Sequence, residues 1–247
     1  MALRTVLITG ANSGVGYATA TLLSSFPTYH VIMTGRSLPK LQAAKQVIEA
    51  TGTVQSQLSI LHLDVTDLST ITAAAKQVEE QHGHLDVLIN NAATGIRIPD
   101  MQTRLTEAYK TNVIGPALVS EAFRPLLLKS ANPYSLYISS GVGSINLAMK
   151  KSAYKMQYED AYRSSKAALN MLATLEYTDF KEQGLKVFVV SPGFVVSNLR
   201  GTSEEERSGW GQAGDPMGSA ELIRGVVEGE REEDVGRFVW KEGVYEW

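Results

Sequence analysis

Two side chains in the second half of the chain have the types and the spacing for acid–base chemistry. Tyr162 and Lys166 are four residues apart in a helical pattern, so they share one face of a helix about 6 Å apart along its axis. A free tyrosine has a pKa of about 10 and is a poor acid–base catalyst at neutral pH. Because a neighbouring ammonium favours the phenolate, we expect Lys166 to lower the pKa of Tyr162. The pair is a candidate for proton transfer at a substrate oxygen.

The same spacing occurs a second time, at Tyr177 and Lys181. On one continuous helix the second pair lies about 22 Å from the first. It is expected at the far end of the helix and at the protein surface. Tyr162 instead opens the helix, next to the carboxyl ends of the predicted strands. This placement, rather than the spacing, favours the first pair as the reactive one.

A glycine-rich segment follows the first strand-like run and opens a helical pattern, with the sequence Thr9-Gly10-Ala11-Asn12-Ser13-Gly14-Val15-Gly16. Glycines permit a tight turn and let backbone N–H groups approach a pyrophosphate, whose charge the helix N-terminus stabilises. A glycine-rich string by itself also fits a turn that binds nothing. This one, however, lies where a dinucleotide-binding loop must lie. We therefore predict a nucleotide site.

The end of the second strand predicts which nucleotide is preferred. An acidic residue there takes the ribose hydroxyls of NAD, whereas a basic residue accommodates the 2′-phosphate of NADP. This chain has Thr34-Gly35-Arg36-Ser37, in which glycine stands at the acidic position and an arginine follows. A guanidinium pairs with phosphate in a bidentate manner, and the Ser13 and Ser37 hydroxyls can add contacts. The sequence predicts NADP(H), with a solvated loop arginine as the alternative reading of Arg36.

The elements that position these residues follow a regular alternation of strand and helix. Apolar β-branched runs are predicted as buried strands at 6–8, 31–33, 60–63, 87–89, 136–138 and 187–190, with a last strand at 236–240. Amphipathic helical patterns cover 14–25, 39–50, 68–82, 104–129, 160–183 and 218–228. Alternation of this kind predicts an α/β fold: one doubly wound (Rossmann) domain over 1–247, with a mostly parallel seven-stranded sheet flanked by helices. The glycine-rich, polar segment 194–217 breaks the rhythm and is expected to be a substrate lid.

Composition narrows the classes of function. The net charge is −3 and no long run of Lys or Arg occurs, which argues against a nucleic-acid partner and a cationic membrane face. The chain has no cysteine, so disulfides, thiolate catalysis and cysteine-built metal sites are excluded. No secretory signal pattern opens the sequence and no apolar run is long enough to cross a bilayer. A cytoplasmic location is expected.

His82-Gly83-His84 is the one local pattern that suggests a metal ion. Neither a cysteine nor a carboxylate cluster stands beside it. The segment closes a helix, where a glycine is a natural C-cap. We predict no metal site.

Several motifs in order resemble the short-chain dehydrogenase/reductase family over essentially the whole chain. They are the glycine loop, Asp64-Val65, Asn90-Asn91-Ala92-Ala93, Ser139-Ser140, Tyr162-Arg163-Ser164-Ser165-Lys166 and Ser191-Pro192-Gly193. Ala93 stands where the family usually has glycine. The sequence around Ser140 and the C-terminal segment are similar to C-factor- and sniffer-like carbonyl reductases and to fungal ketoreductases of secondary metabolism.

The resemblance implies a role for each motif. Tyr162 would protonate the carbonyl oxygen, Lys166 would also hold the nicotinamide ribose, and Ser140, rather than Ser139, would orient the substrate oxygen. Asn112 matches the helix asparagine that places a proton-relay water. The cofactor contacts expected from the loop chemistry and the resemblance are Gly10, Asn12, Ser13, Gly14, Val15, Gly16, Arg36, Ser37, Asp64, Val65, Asn91, Ala92, Ala93, Tyr162, Lys166, Pro192, Gly193 and Val195.

The predicted function is reduction of a ketone or aldehyde, or oxidation of the alcohol, by hydride transfer from or to NADP(H). The substrate is expected to be apolar, and the long segment between Ser140 and Tyr162 is expected to form part of its wall. Two alternatives stay open: a non-redox isomerase, dehydratase or cyclase that holds NADP(H) as a scaffold, and a non-catalytic NADP(H)-binding protein. A homodimer or homotetramer is expected, formed through the helices 104–129 and 160–183, whose apolar residues exceed one core face: Leu118, Phe123, Leu126, Leu127, Leu169, Leu172 and Leu175.

Overall fold

One mostly parallel sheet forms the centre of the molecule. The computed structural model describes residues 3–150 and 157–247. Within these residues the sheet has eight strands in the order β3-β2-β1-β4-β5-β6-β7-β8. The strands are β1 Arg4–Ile8, β2 Tyr29–Gly35, β3 Gln57–His62, β4 Val87–Asn90, β5 Tyr134–Ile138, β6 Lys186–Val190, β7 Phe238–Trp240 and β8 Gly243–Tyr245. The reversal of order beside β1 is that of a doubly wound fold, as predicted.

The strands are apolar because both faces of the sheet are covered. Every residue of β2 and of β5 is buried, which suits continuous apolar runs in a parallel sheet. Alternate residues enter different cores, so that Val6 and Ile8 pack on one face and Leu7 packs on the other. Both faces are therefore held by hydrophobic burial, and the strand ends stay fixed relative to one another.

The sheet has one strand more than the predicted seven. β8 pairs with β7 in the antiparallel direction through Phe238–Tyr245 and Val239–Val244. The tight connection between them lets the chain reverse without a crossover helix. Aromatic stacking fixes this edge, since the Trp240 and Tyr245 ring centroids are 5.0 Å apart at an interplanar angle of 9°.

Helices cover both faces of the sheet, and the helix predicted over 104–129 departs most from its predicted bounds. In the described residues the α-helices are α1 Gly14–Ser24, α2 Leu38–Ala50, α3 Leu68–His82, α4 Met101–Tyr109, α5 Gly115–Leu127, α6 Ile145–Met149, α7 Asp160–Phe180, α8 Glu204–Arg207 and α9 Met217–Val227. The stretch predicted as one helix over 104–129 starts earlier, because the Asp100 side chain accepts a hydrogen bond from the Thr103 N–H and caps α4. A π-helical segment, Lys110–Ile114, then separates α4 from α5.

The apolar residues assigned to a subunit interface are mostly used inside the chain itself. Phe123, Leu126, Leu127 and Leu169 are buried in the core, so the prediction that they exceed the core face is wrong. The pattern failed because each helix turns a wide apolar stripe towards the sheet. Ile114, Met171 and Leu175 are the exposed apolar residues of this region, with exposed fractions of 53%, 59% and 49%. The homo-oligomer stays a prediction.

The segment expected to be a lid has defined structure. Residues 194–217 contain α8, which starts with a capping box in which Ser203 and Glu206 bond each other's main chain and side chain. A β-bridge between Val195 and Gly214 closes the base of the segment. It lies at the carboxyl end of β6, as a loop that covers a substrate would. A lid function stays a prediction.

Candidate active site

A cavity of about 570 Å³ opens at the carboxyl ends of the parallel strands. Its lining includes the glycine loop after β1, Arg36 after β2, Asp64 after β3, Asn91 after β4 and Pro192 after β6. Ser140, Tyr162 and Lys166 line the same cavity. All the predicted site residues except Gly16 and Asn112 are in this lining. The fold thus brings two groups of residues that lie far apart in the sequence to one site.

Thr9 joins the loop after β1 to the loop after β4. Its hydroxyl oxygen accepts hydrogen bonds from the backbone N–H groups of Asn91 at 2.9 Å and Ala92 at 3.0 Å. In return, the Asn91 side chain donates a hydrogen bond to the Thr9 carbonyl oxygen at 2.8 Å. These bonds fix the edge of the cavity at the point where the strand order reverses.

Two of the loop glycines are required by close packing. Gly10 has a φ of +66°, and a Cβ at this position would lie 2.9 Å from Cα of Ala92. A Cβ on Gly16 would lie 2.4 Å from Nδ2 of Asn91 and 2.8 Å from the Gly10 carbonyl oxygen. Gly16 is therefore a packing residue behind the loop, which is why it does not line the cavity. A side chain at either position would push the loop away from β4.

The cavity fits a phosphorylated dinucleotide at its loop end. Ser13 is the N-cap residue of α1 and makes no side-chain capping bond, and no acidic residue stands in the first turn. The positive end of α1 therefore meets the cavity without a competing carboxylate. Arg36 and Lys40 line the cavity beyond the end of β2, where they could pair with the 2′-phosphate of NADP. Lys40 was missed from the sequence, although its position four residues after Arg36 indicates a second cation near the same end of β2.

At the other end, Ser140 and Tyr162 lie side by side. The Ser140 and Tyr162 side chains are hydrogen-bonded to each other, so both hydroxyl groups can contact the same substrate oxygen. The competing hydroxyl of Ser139 is committed elsewhere, since it donates to Oδ1 of Asn170 at 2.6 Å and is buried. The geometry supports the choice of Ser140 over Ser139 for the substrate contact.

The pKa values of the pair differ from the expectation for Tyr162. Burial raises the pKa of Tyr162 to about 12, and the nearby Arg200 and Arg97 only partly oppose this. Burial also lowers the pKa of Lys166 to about 7. The Lys166 ammonium lies 5.7 Å from the Tyr162 ring centroid and donates instead to the Ile138 carbonyl oxygen at 2.8 Å. The predicted lowering of the tyrosine pKa by this lysine is therefore wrong, because desolvation outweighs charge here.

Asn112 lies in the π-helical segment and ties two elements together. Its side-chain oxygen accepts from the Thr94 N–H at 2.8 Å. Its side-chain nitrogen donates to the Thr94 carbonyl oxygen at 2.9 Å and to the Ser165 hydroxyl at 3.0 Å. The side chain is fully buried and fully engaged. The prediction that Asn112 places a relay water can therefore concern only its main chain, and it stays a prediction.

Residues of two loops at the cavity were missed by sequence reasoning. Thr94, Gly95 and Ile96 follow the Asn-Asn-Ala-Ala segment, and Ser197, Leu199 and Arg200 belong to the segment after β6. The two loops touch, since a Cβ on Gly95 would lie 2.6 Å from the Leu199 carbonyl oxygen. Ser197, Leu199 and Arg200 lie in the segment 194–217, which is predicted to be a lid, but no local pattern marks them individually, because the contact between the two loops depends on the tertiary fold.

Similarity to known proteins decides the family. A model of the short chain dehydrogenase family matches residues 4–208. The chain belongs to the short-chain dehydrogenase/reductase family. It is 35% identical over 243 residues to the short-chain dehydrogenase anuI of Penicillium roqueforti, covering 95% of this chain and 92% of the relative. It is 33% identical to the short-chain dehydrogenase/reductase tropE of Talaromyces stipitatus, covering 96% and 95%.

A solved structure supports the same relationship. The NADPH-bound carbonyl reductase from chicken fatty liver superposes with a TM-score of 0.84 at 30% identity, and the match covers 100% of both chains. Together with the fungal relatives it confirms the predicted resemblance to carbonyl reductases and fungal ketoreductases. This family member is therefore an oxidoreductase with a nicotinamide-binding fold.

Three further observations concern the remaining expectations. None of the helices in the described residues is long and apolar enough to span a membrane. Over the same residues, no three His, Asp or Glu side chains come together in a way that could hold a metal ion. Gly83 is the C-cap of α3 with a φ of 73°, as predicted. Part of the expected substrate wall, residues 151–156, lies outside the described residues.

Proposed function

We propose that this protein is an NADP(H)-dependent carbonyl reductase that acts on a ketone or aldehyde. One observation carries the proposal. The Ser140, Tyr162 and Lys166 side chains line the same cavity as the glycine loop and the two cations Arg36 and Lys40. A dinucleotide that lies along this cavity would have its 2′-phosphate near Arg36 and Lys40, its pyrophosphate at the glycine loop and its nicotinamide ring near Tyr162. When bound, NADPH supplies the hydride for the carbonyl carbon.

The residues of the chain then act on the carbonyl oxygen. Tyr162 donates its phenolic proton to this oxygen as negative charge develops there, and the Ser140 hydroxyl hydrogen-bonds to the same oxygen. A tyrosine whose pKa is raised to about 12 is protonated at neutral pH, which is the form that reduction requires. Alcohol oxidation needs the phenolate, so the burial of Tyr162 favours the reductive direction.

The preference for NADPH over NADH rests on Arg36 and Lys40. Gly35, the last residue of β2, offers no carboxylate to the ribose hydroxyls. A guanidinium bound to a phosphate contributes about 1.5–3 kcal/mol. The carbonyl reductase from chicken fatty liver binds NADPH, which supports the same cofactor here.

The experiment is to follow NADPH consumption, with NADH in parallel, over a panel of aromatic, aliphatic and polycyclic ketones. Tyr162→Phe removes the proton donor, together with its hydrogen bond to Ser140, and keeps the ring. Tyr177→Phe is the matched control, because Tyr177 has the same spacing to a lysine on the same helix but does not line the cavity. We expect turnover that Tyr162→Phe reduces at least about 100-fold and that Tyr177→Phe retains.

Two outcomes would contradict the proposal. Equal loss of turnover in both tyrosine variants would show that Tyr162 is not the specific acid. Binding of NADPH with no turnover of any ketone would favour a non-redox isomerase, dehydratase or cyclase, or a non-catalytic binding protein.

A further inference from the structure

Arg200 brings an unmatched positive charge to the catalytic end of the cavity. It lines the same cavity as Ser140 and Tyr162. Its three hydrogen bonds all go to main-chain carbonyl oxygens, of Val195 at 2.9 Å, Arg207 at 2.7 Å and Glu206 at 3.0 Å. Within the described residues no carboxylate pairs with this guanidinium. The bonds hold it in place but leave its charge uncompensated.

Arg97, on the loop after β4, adds a second cation beside the first. It is close enough to Arg200 to disfavour the charge of that residue, and both arginines favour the charged form of Tyr162. The nearest carboxylate to Arg97 is that of Glu159, at 3.8 Å. Glu159 also pairs with Arg163 at 3.0 Å. One carboxylate is thus shared by two arginines, and Arg97 is only weakly paired.

Like charges held together without a counter-charge are costly for a protein unless a ligand supplies the opposite charge. Glu206 is the other carboxylate near Arg97, but its oxygens cap α8 through the Ser203 hydroxyl and N–H. The apolar side chains of Ile96 and Leu199 lie in the same stretch of the lining. The cavity lining beside Tyr162 therefore combines apolar contacts with the Arg200 cation, and Arg97 lies within electrostatic reach of both Arg200 and Tyr162.

We propose that Arg97 and Arg200 form an anion-binding wall, and that the carbonyl substrate carries a carboxylate. That the bound anion belongs to a substrate rests on the proposed function. The anion site itself does not depend on it. It refines the expected apolar substrate: the body of the molecule contacts Ile96 and Leu199, and its acidic group pairs with the arginines. Because Nε and Nη2 of Arg200 already donate to main-chain oxygens, its Nη1 group is left to donate to the carboxylate. A second bond from Arg97 would also fix the carbonyl in one orientation at Ser140 and Tyr162.

The competing source of negative charge is the cofactor. Ser197 lies next to Gly14 of the phosphate loop, since a Cβ on Gly14 would be 3.2 Å from Cβ of Ser197, and Arg200 follows three residues later. If Arg200 served the pyrophosphate, its removal would weaken NADPH binding equally for every substrate. If Arg200 instead bound a substrate carboxylate, its removal would weaken the reaction of acidic substrates and leave that of neutral substrates unchanged.

The test compares ketones that differ in one charge. We would measure kcat/KM for 4-acetylbenzoate and 4-acetylbenzamide, and for the two 3-acetyl isomers, with NADPH. The variants are Arg97→Gln, Arg200→Gln and Arg200→Lys, and the control is Arg237→Gln, an exposed arginine before β7. We expect the wild type to prefer an acid over its amide, and each glutamine variant to lower this ratio about 10-fold. Arg200→Lys keeps the charge and should retain part of the preference, and Arg237→Gln should leave the ratio unchanged.

A second measurement separates this inference from the proposed function. Benzoate and benzamide are titrated into the protein–NADPH complex by calorimetry, which needs no turnover. Benzoate binding that depends on Arg97 and Arg200 supports the anion site even if no ketone is reduced. Reduction of neutral ketones with no acid preference, and an acid-to-amide ratio that the arginine variants do not change, would overturn it while the reductase stands. A weaker affinity for NADPH in Arg200→Gln with an unchanged ratio would also overturn it, in favour of a cofactor contact.

Discussion

The Lys166 ammonium donates a hydrogen bond to the main-chain carbonyl oxygen of Ile138, 2.8 Å away. Ile138 ends β5, directly before Ser139 and Ser140, so this bond joins the helix that carries Tyr162 to the strand that carries Ser140. Only 2% of Lys166 is exposed, and the burial lowers its pKa to about 7. Burial therefore disfavours the charged form of Lys166 in the cofactor-free protein.

We predict that Lys166→Met stabilises the cofactor-free protein and abolishes turnover. The thioether chain has a similar shape and no charge to desolvate, whereas the Ile138 carbonyl loses its donor. The balance should be about 1–3 kcal/mol in favour of the variant at neutral pH. Urea unfolding of the two proteins measures the difference, and a less stable variant would contradict the idea that burial of this amine is costly.

The same lysine gives stability a pH dependence of known sign. The pKa of Lys166 falls from the ordinary 10.5 to about 7 on folding, so between these values the unfolded chain binds more protons at this site. The free energy of unfolding should therefore rise with pH across this window, by at most about 1.4 kcal/mol per pH unit from this group. Lys166→Met should remove that rise, and Lys181→Met, at the far end of α7, is the matched control.

A third prediction concerns the two directions of the reaction. Because burial raises the pKa of Tyr162 to about 12, the phenol stays protonated between about pH 8 and about pH 10. Ketone reduction should then be independent of pH in this range as far as Tyr162 is concerned. Alcohol oxidation needs the phenolate and should rise about tenfold per pH unit. Profiles of kcat/KM in both directions measure this, and a fall in reduction between the two pH values would place the tyrosine pKa lower than its burial implies.

A fourth prediction concerns the choice of cofactor. Arg36→Ala should lower kcat/KM for NADPH by about 10- to 100-fold and leave the value for NADH within about 2-fold, because NADH has no phosphate at this position. Lys45→Ala is the control, since Lys45 lies on α2, the helix that follows Arg36, and pairs with Glu49 at 2.9 Å. An unchanged NADPH-to-NADH ratio in Arg36→Ala would mean that this arginine is a solvated loop residue.

The parts of the site that could be predicted are those whose chemistry is local in sequence. The glycine loop, Arg36 and the Tyr162–Lys166 pair each occupy a short segment whose spacing limits what it can form. The order of strands and helices followed from apolar periodicity for the same reason. Local patterns failed where two distant segments meet. The bonds of Asn112 to Thr94 and Ser165 and the proximity of Arg97 to Arg200 depend on contacts between such segments. The β7–β8 hairpin is local, but β8 has three residues, too few for an apolar pattern to mark it.

The direction of the Tyr162 pKa shows the limit most clearly. From the sequence, a lysine one turn away suggests a lowered value. The structure buries Lys166, half-buries Tyr162 in the cavity and directs the Lys166 ammonium to Ile138, so desolvation prevails. Spacing places two side chains on one face, but it does not say how much water remains between them.

The last prediction tests whether the contact between the Ser140 turn and α7 sets the geometry of the site. Gly143 lies in the 3₁₀ turn that follows Ser140, and a Cβ there would be 2.8 Å from Cβ of Lys166 and 2.9 Å from its main-chain carbon. Gly143→Ala should therefore push the turn away from α7, at a cost of about 1–3 kcal/mol in unfolding free energy. We also expect kcat to fall at least about tenfold with little change in the affinity for NADPH, because the displaced atoms are those that hold Ser140 and Lys166.

Gly218→Ala is the control for the same chemical change. Gly218 lies in α9 with open space around its Cβ position, and alanine there should stabilise the helix by about 0.5–1 kcal/mol without an effect on turnover. Both quantities come from urea unfolding and steady-state kinetics on the two variants. If Gly143→Ala kept the wild-type kcat, the close approach of the turn to Lys166 would have no part in positioning the catalytic groups, and the tight packing at this point would serve stability alone.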